Sequence, residues 1–120
     1  MNKLLFTVSR PPYAGSAVME QIEAALVAAV FDLEVSLLFR DDGVWALQRD
    51  QDGTLLGHRS VHKALSGLGA YDIQKIYVCE AALATRGIDR SDLCIAARTL
   101  SLSEQQTLIA SQDAVIGAQT

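Results

Sequence analysis

The chain has only two cysteines, Cys79 and Cys94, and they form neither the paired C-x-x-C spacing of a zinc site nor a disulfide framework. A reducing, cytoplasmic home is the expectation. The two prolines stand together at Pro11 and Pro12, where with Gly15 they oppose helix over one loop. The longest apolar stretch, Ala24 to Phe31, is bordered by Glu23 and Asp32. It falls far short of the ~20 residues that cross a bilayer, so no membrane association is expected. The apolar N-terminal run stops at Ser9-Arg10-Pro11 without the longer core and small-residue cleavage site of a secretory signal. Cationic excess is missing too. A formal charge of −4 and a pI near 5.0 give no field for phosphate backbones, which disfavours direct, tight nucleic-acid binding. No internal repeat, low-complexity segment or linker divides the sequence.

What is present is apolar content. Half of the 120 residues are hydrophobic, enough to bury a core in one domain spanning 1–120. A mean hydropathy of +0.21 is high for a small soluble monomer and points to a subunit interface.

Short apolar runs alternate with longer helical patterns, the signature of βαβ units and a mainly parallel sheet covered on both faces. The expected fold is therefore α/β, a three-layer α/β/α domain with about five strands. Leu4 to Val8 reads as the first strand. After the loop Ser9 to Ser16, the recurrence of Val18, Ile22, Leu26 and Val30 predicts a helix from about Ser16 to Asp32. Glu34 to Phe39 is the second strand, closed by Asp41-Asp42-Gly43 as a turn before Val44-Trp45-Ala46-Leu47. Gln48 to Gly57 reads as loop. Val61, Leu65, Leu68 and Tyr71 predict a helix from about Arg59, weakened by Gly67 and Gly69. Lys75 to Cys79 is the third strand, Glu80 to Arg86 a helix stopped by Gly87, and Leu93 to Ala97 the fourth strand. Ser101 and Glu104 form a capping box for a helix to about Ser111, before a short fifth strand at Ala114 to Ile116.

In an open α/β sheet, chemistry gathers beyond the carboxyl ends of the strands, which here places Ser9 to Ser16, Asp41 to Gly43 and Cys79 on one edge. A cysteine at a helix start faces free N–H groups and a positive dipole end, which favours the nucleophilic thiolate and allows it to carry sulfur as a persulfide. The opposing reading is a small core residue beside the unhelpful charge of Glu80. Phosphatase and rhodanese sites are excluded, because helix formers replace their amide-rich turn and six residues separate Cys79 from Arg86. Cys94 reads as core. His58 and His62 stand four apart but lack a third ligand, so no metal site is expected. The Pro-Pro-Tyr-Ala-Gly-Ser loop could hold a flavin phosphate or serve as a structural turn. Trp45, Tyr13 and Tyr71 are candidates for core or for partner anchors.

Four segments together resemble the DsrE/DsrF family, and within it the TusC/DsrF-type branch of sulfur-relay subunits. They are Ser9 to Gly15, Leu38-Phe39-Arg40-Asp41-Asp42-Gly43-Val44, Leu68-Gly69-Ala70-Tyr71-Asp72-Ile73, and Val78-Cys79-Glu80-Ala81-Ala82-Leu83-Ala84-Thr85-Arg86-Gly87. The resemblance implies a heterohexamer with TusB-like and TusD-like subunits that relays persulfide sulfur toward 2-thiouridine at the tRNA wobble position. TusA- and TusE-like carriers would be reached through that complex. It also implies that the principal sulfur-accepting cysteine belongs to the TusD/DsrE-type subunit, so this chain would act as an accessory subunit, with Cys79 as its one candidate persulfide carrier and no cofactor or metal. Two alternatives stay open. One is a DsrEFH-type role in sulfur oxidation, the other a flavodoxin-like module that binds a nucleotide or flavin. A stand-alone thiol enzyme ranks below both, because no base or arginine cradle for Cys79 can be placed from sequence.

Overall fold

The computed structural model describes residues 2–12, 15–48 and 56–117, with backbone alone for 56–60. Five strands, β1 (Lys3–Val8), β2 (Glu34–Phe39), β3 (Lys75–Cys79), β4 (Arg98–Leu100) and β5 (Ala114–Gly117), lie in the order β4-β3-β2-β1-β5. Every pairing is parallel. The expected α/β class and strand number hold. The helices are α1 (Ala17–Val30), α2 (Leu56–Ser66), α3 (Glu80–Thr85) and α4 (Leu102–Ala110).

Right-handed crossovers explain the layers. Three successive steps from β1 to β4 run one way across the sheet and place α1, α2 and α3 on one face. The return from β4 to β5 runs the other way and sends α4 to the opposite face. Packing agrees. Phe6, Val8, Leu37, Phe39 and Val78 share the larger core cluster with Val18 and Ile22 of α1, Val61 and Leu65 of α2 and Leu83 of α3. Leu5, Leu38 and Leu100 form a smaller cluster under Leu108 and Ile109 of α4. Alternation along each strand assigns the two sets, since successive side chains of a pleated strand point to opposite faces.

Three expectations are corrected. The fourth strand is Arg98–Leu100 instead of Leu93–Ala97. Leu93 instead makes an isolated antiparallel bridge to Gln48, and the Cys94 N–H donates to the Leu47 carbonyl at 2.7 Å. The alanine-rich run thus docks on a neighbouring loop, and the β-branched Thr99 lies in the segment that joins the ladder. Asp41-Asp42-Gly43 does not form a simple turn. It opens a 3-10 helix, Asp41–Leu47, that carries Val44, Ala46 and Leu47 into full burial. Helix α2 starts at Leu56, three residues before the predicted Arg59, and ends at Ser66 with a separate 3-10 turn over Leu68–Tyr71.

Gly43 shows why the 3-10 segment needs its sequence. A Cβ built there would overlap the Val8 carbonyl oxygen and come 3.0 Å from the Ser9 nitrogen, both rigid backbone. Glycine is required by space at this point, where the chain leaving β2 crosses the end of β1. Gly43→Ala should therefore cost about 1–3 kcal/mol by overpacking, read as a lower midpoint in thermal or urea unfolding. Gly69→Ala, where an added Cβ meets nothing within 4 Å, should change stability by less than about 0.5 kcal/mol. Equal stability of the two variants would show that Gly43 is not held against Val8.

Candidate functional site

The carboxyl ends of β1, β2 and β3 bring the predicted segments to one edge. Strand β1 runs out into Ser9 and Arg10, and Pro12 beyond them is buried. Tyr13 and Ala14 lie outside the described residues, so of the Pro-Pro-Tyr-Ala-Gly-Ser loop only the two ends are described. Gly15 closes the loop in the left-handed region, at φ 93°, and the Ser16 hydroxyl donates to Glu20 at 2.7 Å over the start of α1.

Beyond β2, Arg40 keeps extended backbone, φ −145° and ψ 167°, and its N–H continues the ladder to the Val8 carbonyl at 3.0 Å. The Gly43 N–H then closes on the Arg40 carbonyl at 2.9 Å, which turns the chain into the 3-10 segment. Asp41 sits at φ 52°, a left-handed conformation that aspartate tolerates better than most residues.

Cys79 ends β3 and is the N-cap residue of α3, with no side-chain capping bond. Only 6% of it is exposed, and it packs with the larger core cluster. The strand-end position expected from sequence is therefore the one observed, in a more enclosed setting. Glu80 is exposed, so its charge projects into water, away from the core that holds the thiol. Helix α3 has six residues, less than two turns, so the aligned-dipole argument has little helix behind it.

Arg86, at the C-cap of α3, is not a cradle for Cys79. Its Nε and Nη2 donate to Asp42 Oδ1 at 3.1 and 3.0 Å, and its Nη1 donates to the Ala82 carbonyl at 3.2 Å. These bonds fasten α3 to the 3-10 segment after β2. On the other side, Cys79 pairs with Leu100, and Ser101 follows as the N-cap of α4. A shallow groove of about 290 Å³ runs between the two helix starts, lined by Glu80, Ala81, Ala84, Ser101 and Leu102.

The remaining sequence candidates lie elsewhere. Cys94 is half-buried in the loop before β4, where with Arg90 and Ser91 it lines a separate hollow of about 560 Å³. It packs against the core, as expected, but from outside any strand. His62 is half-buried on α2, and the side chain of His58 lies outside the described residues. Among the described residues no group of three or more His, Cys, Asp or Glu is placed to hold a metal ion. Trp45 packs against the larger core cluster, whereas Tyr71 is 47% exposed. Arg40, to which sequence reasoning gave no role, is half-buried with an enclosed Nε that has no hydrogen-bond partner among the described residues.

A scan of protein families matches residues 2–117 to the DsrE/DsrF-like family. Among curated relatives, the intracellular sulfur oxidation protein DsrF of Allochromatium vinosum is 34% identical over 93 residues, covering 78% of this chain and 68% of that protein. A TusC homolog of Pseudomonas aeruginosa is 30% identical over 117 residues, covering 97% and 98%. The crystal structure of the ychN protein from E. coli shares the fold, with a TM-score of 0.81 over 98% of this chain at 21% identity.

The capping box at this edge yields a pH-dependent test. The Ser101 N–H donates to Glu104 Oε1 at 2.8 Å, and the Glu104 N–H donates to the Ser101 hydroxyl at 3.2 Å. The Ser101 backbone bond foremost, then its side-chain bond, holds the Glu104 carboxyl below its ordinary 4.5. A carboxyl lowered in the folded state adds stability above its unfolded value and loses it as pH falls through the folded value. Glu104→Gln should therefore lower the unfolding midpoint at pH 7 and flatten the acid limb below pH 4.5. An acid limb as steep as the native one would contradict the capping role.

Proposed function

The chain belongs to the DsrE/DsrF-like family, and on that premise we propose that it is a TusC/DsrF-type subunit of a sulfur-relay complex. The observation that carries this reading is the family match over residues 2–117, joined by a TusC homolog aligned over 97% of the chain. In this reading the chain assembles with TusB-like and TusD-like subunits into a heterohexamer. The complex passes persulfide sulfur toward the wobble 2-thiouridine of tRNA. This chain contributes chiefly to assembly, and Cys79 is its own sulfur-handling residue.

Surface composition supports a life in an assembly. Val27, Val30 and Phe31 stand 58, 62 and 74% exposed at positions spaced to share one side of α1, an apolar stripe seldom left to water. All of β5 is exposed as well.

The sulfur step is a thiol exchange. The Cys79 thiolate attacks the outer sulfur of a partner's hydrodisulfide, and the partner's sulfur–sulfur bond breaks. The inner sulfur leaves as a thiolate with the bonding pair, while a new sulfur–sulfur bond forms on Cys79. No outside oxidant or reductant is needed. With Cys79 only 6% exposed, the partner must approach closely or widen the strand-end opening. A sulfur-oxidation role is the second reading, favoured by the DsrF relative at 34% identity.

Co-expression with its TusB-like and TusD-like neighbours, followed by incubation with a labelled persulfide donor and thiol mapping by mass spectrometry, tests the carrier role. Label should appear on Cys79, and Cys79→Ser should abolish it while the complex still assembles. Label on partner cysteines with none on Cys79 would end the carrier role and leave the assembly role standing. Restoration of tRNA 2-thiolation in a strain lacking its TusC, without restoration of sulfur oxidation, would separate the two physiological readings.

A further inference from the structure

Strand β5 is joined to the sheet by one ladder alone. It closes the sheet beside β1, has no second neighbour among the described residues, and is exposed along its whole length, Ala114–Gly117. None of its residues belongs to either core cluster. Helix α1 packs on β1 and β2, and α4 on β4, so neither covers the outer strand. Val115 and Ile116, 43 and 42% exposed, point to opposite faces, which leaves β5 bare on both sides.

The backbone of this edge is open as well. The Asp113 N–H donates to the Lys3 carbonyl at 2.9 Å, and the ladder continues with Leu5↔Val115 and Thr7↔Gly117. Alternate residues of a strand turn both main-chain groups to the same side, so 113, 115 and 117 face β1. Ala114 and Ile116 therefore turn their N–H and C=O outward. Sheet edges are ordinarily blunted by lysine, proline, a bulge or a covering element. Ala-Val-Ile-Gly carries no charge and no proline, and it pairs residue for residue with β1.

We propose that this edge is an isologous interface on which a second copy of the chain adds its own β5, antiparallel, about a two-fold axis normal to the sheet at Val115. A two-fold contact requires one surface to complement itself, and β5 does so in this register. Ala114 of one copy stands opposite Ile116 of the other, and the pair exchanges main-chain bonds in both directions. Their side chains set a small residue beside a large one. Val115 meets its counterpart in a non-hydrogen-bonded pair, where side chains approach most closely. Asp113 falls opposite Gly117, which has no side chain, and its carboxylate already accepts from the Lys3 N–H at 2.8 Å. No like charges oppose one another. Moving the axis to Ala114 would instead set Val115 against Asp113, an apolar side chain against a carboxylate. With the axis normal to the sheet, the two sheets continue into one, and the side chains bare on each face are covered by their counterparts. The inference goes beyond the sulfur reading and stands without it.

Sedimentation equilibrium of the full chain over a wide concentration range provides the test, and a reversible dimer is the expected result. Val115→Lys sets two ammonium groups face to face at the axis and should raise the dissociation constant about tenfold or more. Its far-UV circular dichroism should match the native spectrum, because the side chain it replaces lies outside the core. Phe31→Ser, on the separate apolar stripe of α1, should leave the dissociation constant unchanged. Register is read by oxidation. Val115→Cys should form a disulfide between copies, since position 115 faces itself, whereas Ile116→Cys, facing Ala114, should form little. The native chain oxidised in parallel accounts for any disulfide made by Cys79 or Cys94. A chain that stays monomeric, even one that joins a different subunit, would overturn the proposal. So would a dimer indifferent to Val115→Lys, or equal cross-linking at 115 and 116. None of these readouts involves sulfur, so failure here is distinct from failure of the relay reading.

Discussion

One close backbone approach organises the edge that carries the candidate site. Gly43 sits so near the Val8 carbonyl that no side chain fits between them. That proximity lets the chain leaving β2 fold down across the end of β1 and run inward as the 3-10 segment. Val44, Ala46 and Leu47 then fill the core beneath it without exposure. Two consequences follow for the site. Asp42 is presented to Arg86, which ties α3 in place, and Arg40 remains in extended register at the top of β2, next to the end of β3. A larger residue at position 43 would push the segment away from β1 and loosen both arrangements together.

Crossover geometry supplies the second constraint. Because β5 returns beside β1, α4 must cover the face that α1, α2 and α3 leave open. Its N-terminus therefore arrives next to that of α3, since Cys79 and Leu100 are paired in the sheet. The capping box of Ser101 and Glu104 fixes this second helix start, so both elements flanking the groove are held by local bonds. The thiol itself is enclosed. In the proposed role, sulfur exchange at Cys79 would be gated by what a partner can reach, which fits a subunit working inside an assembly better than a free-standing thiol enzyme.

Much of this was legible in the sequence, for identifiable reasons. Strands β1, β2 and β3 announce themselves as apolar runs between turn residues, and α1 by its four-residue recurrence of Val18, Ile22, Leu26 and Val30. Cys79 at a strand end and the Ser101 to Glu104 box are local patterns that tertiary packing had no cause to override. Segments whose hydrophobicity is satisfied outside the sheet were misread. Leu93 to Ala97 is as apolar as a strand, but its alanines offer little to a pleated surface, and Leu93 finds its partner in Gln48. The 3-10 segment after β2 was hidden because Asp-Asp-Gly has the composition of a turn.

The proposed function turns on sulfur resting on Cys79 at the junction of β3 and α3. A crystal structure of the chain in its complex, after exposure to a persulfide donor, examines that junction most directly. The proposed function predicts density for one added sulfur on Cys79 Sγ. Added sulfur on partner cysteines with none on Cys79 would contradict it.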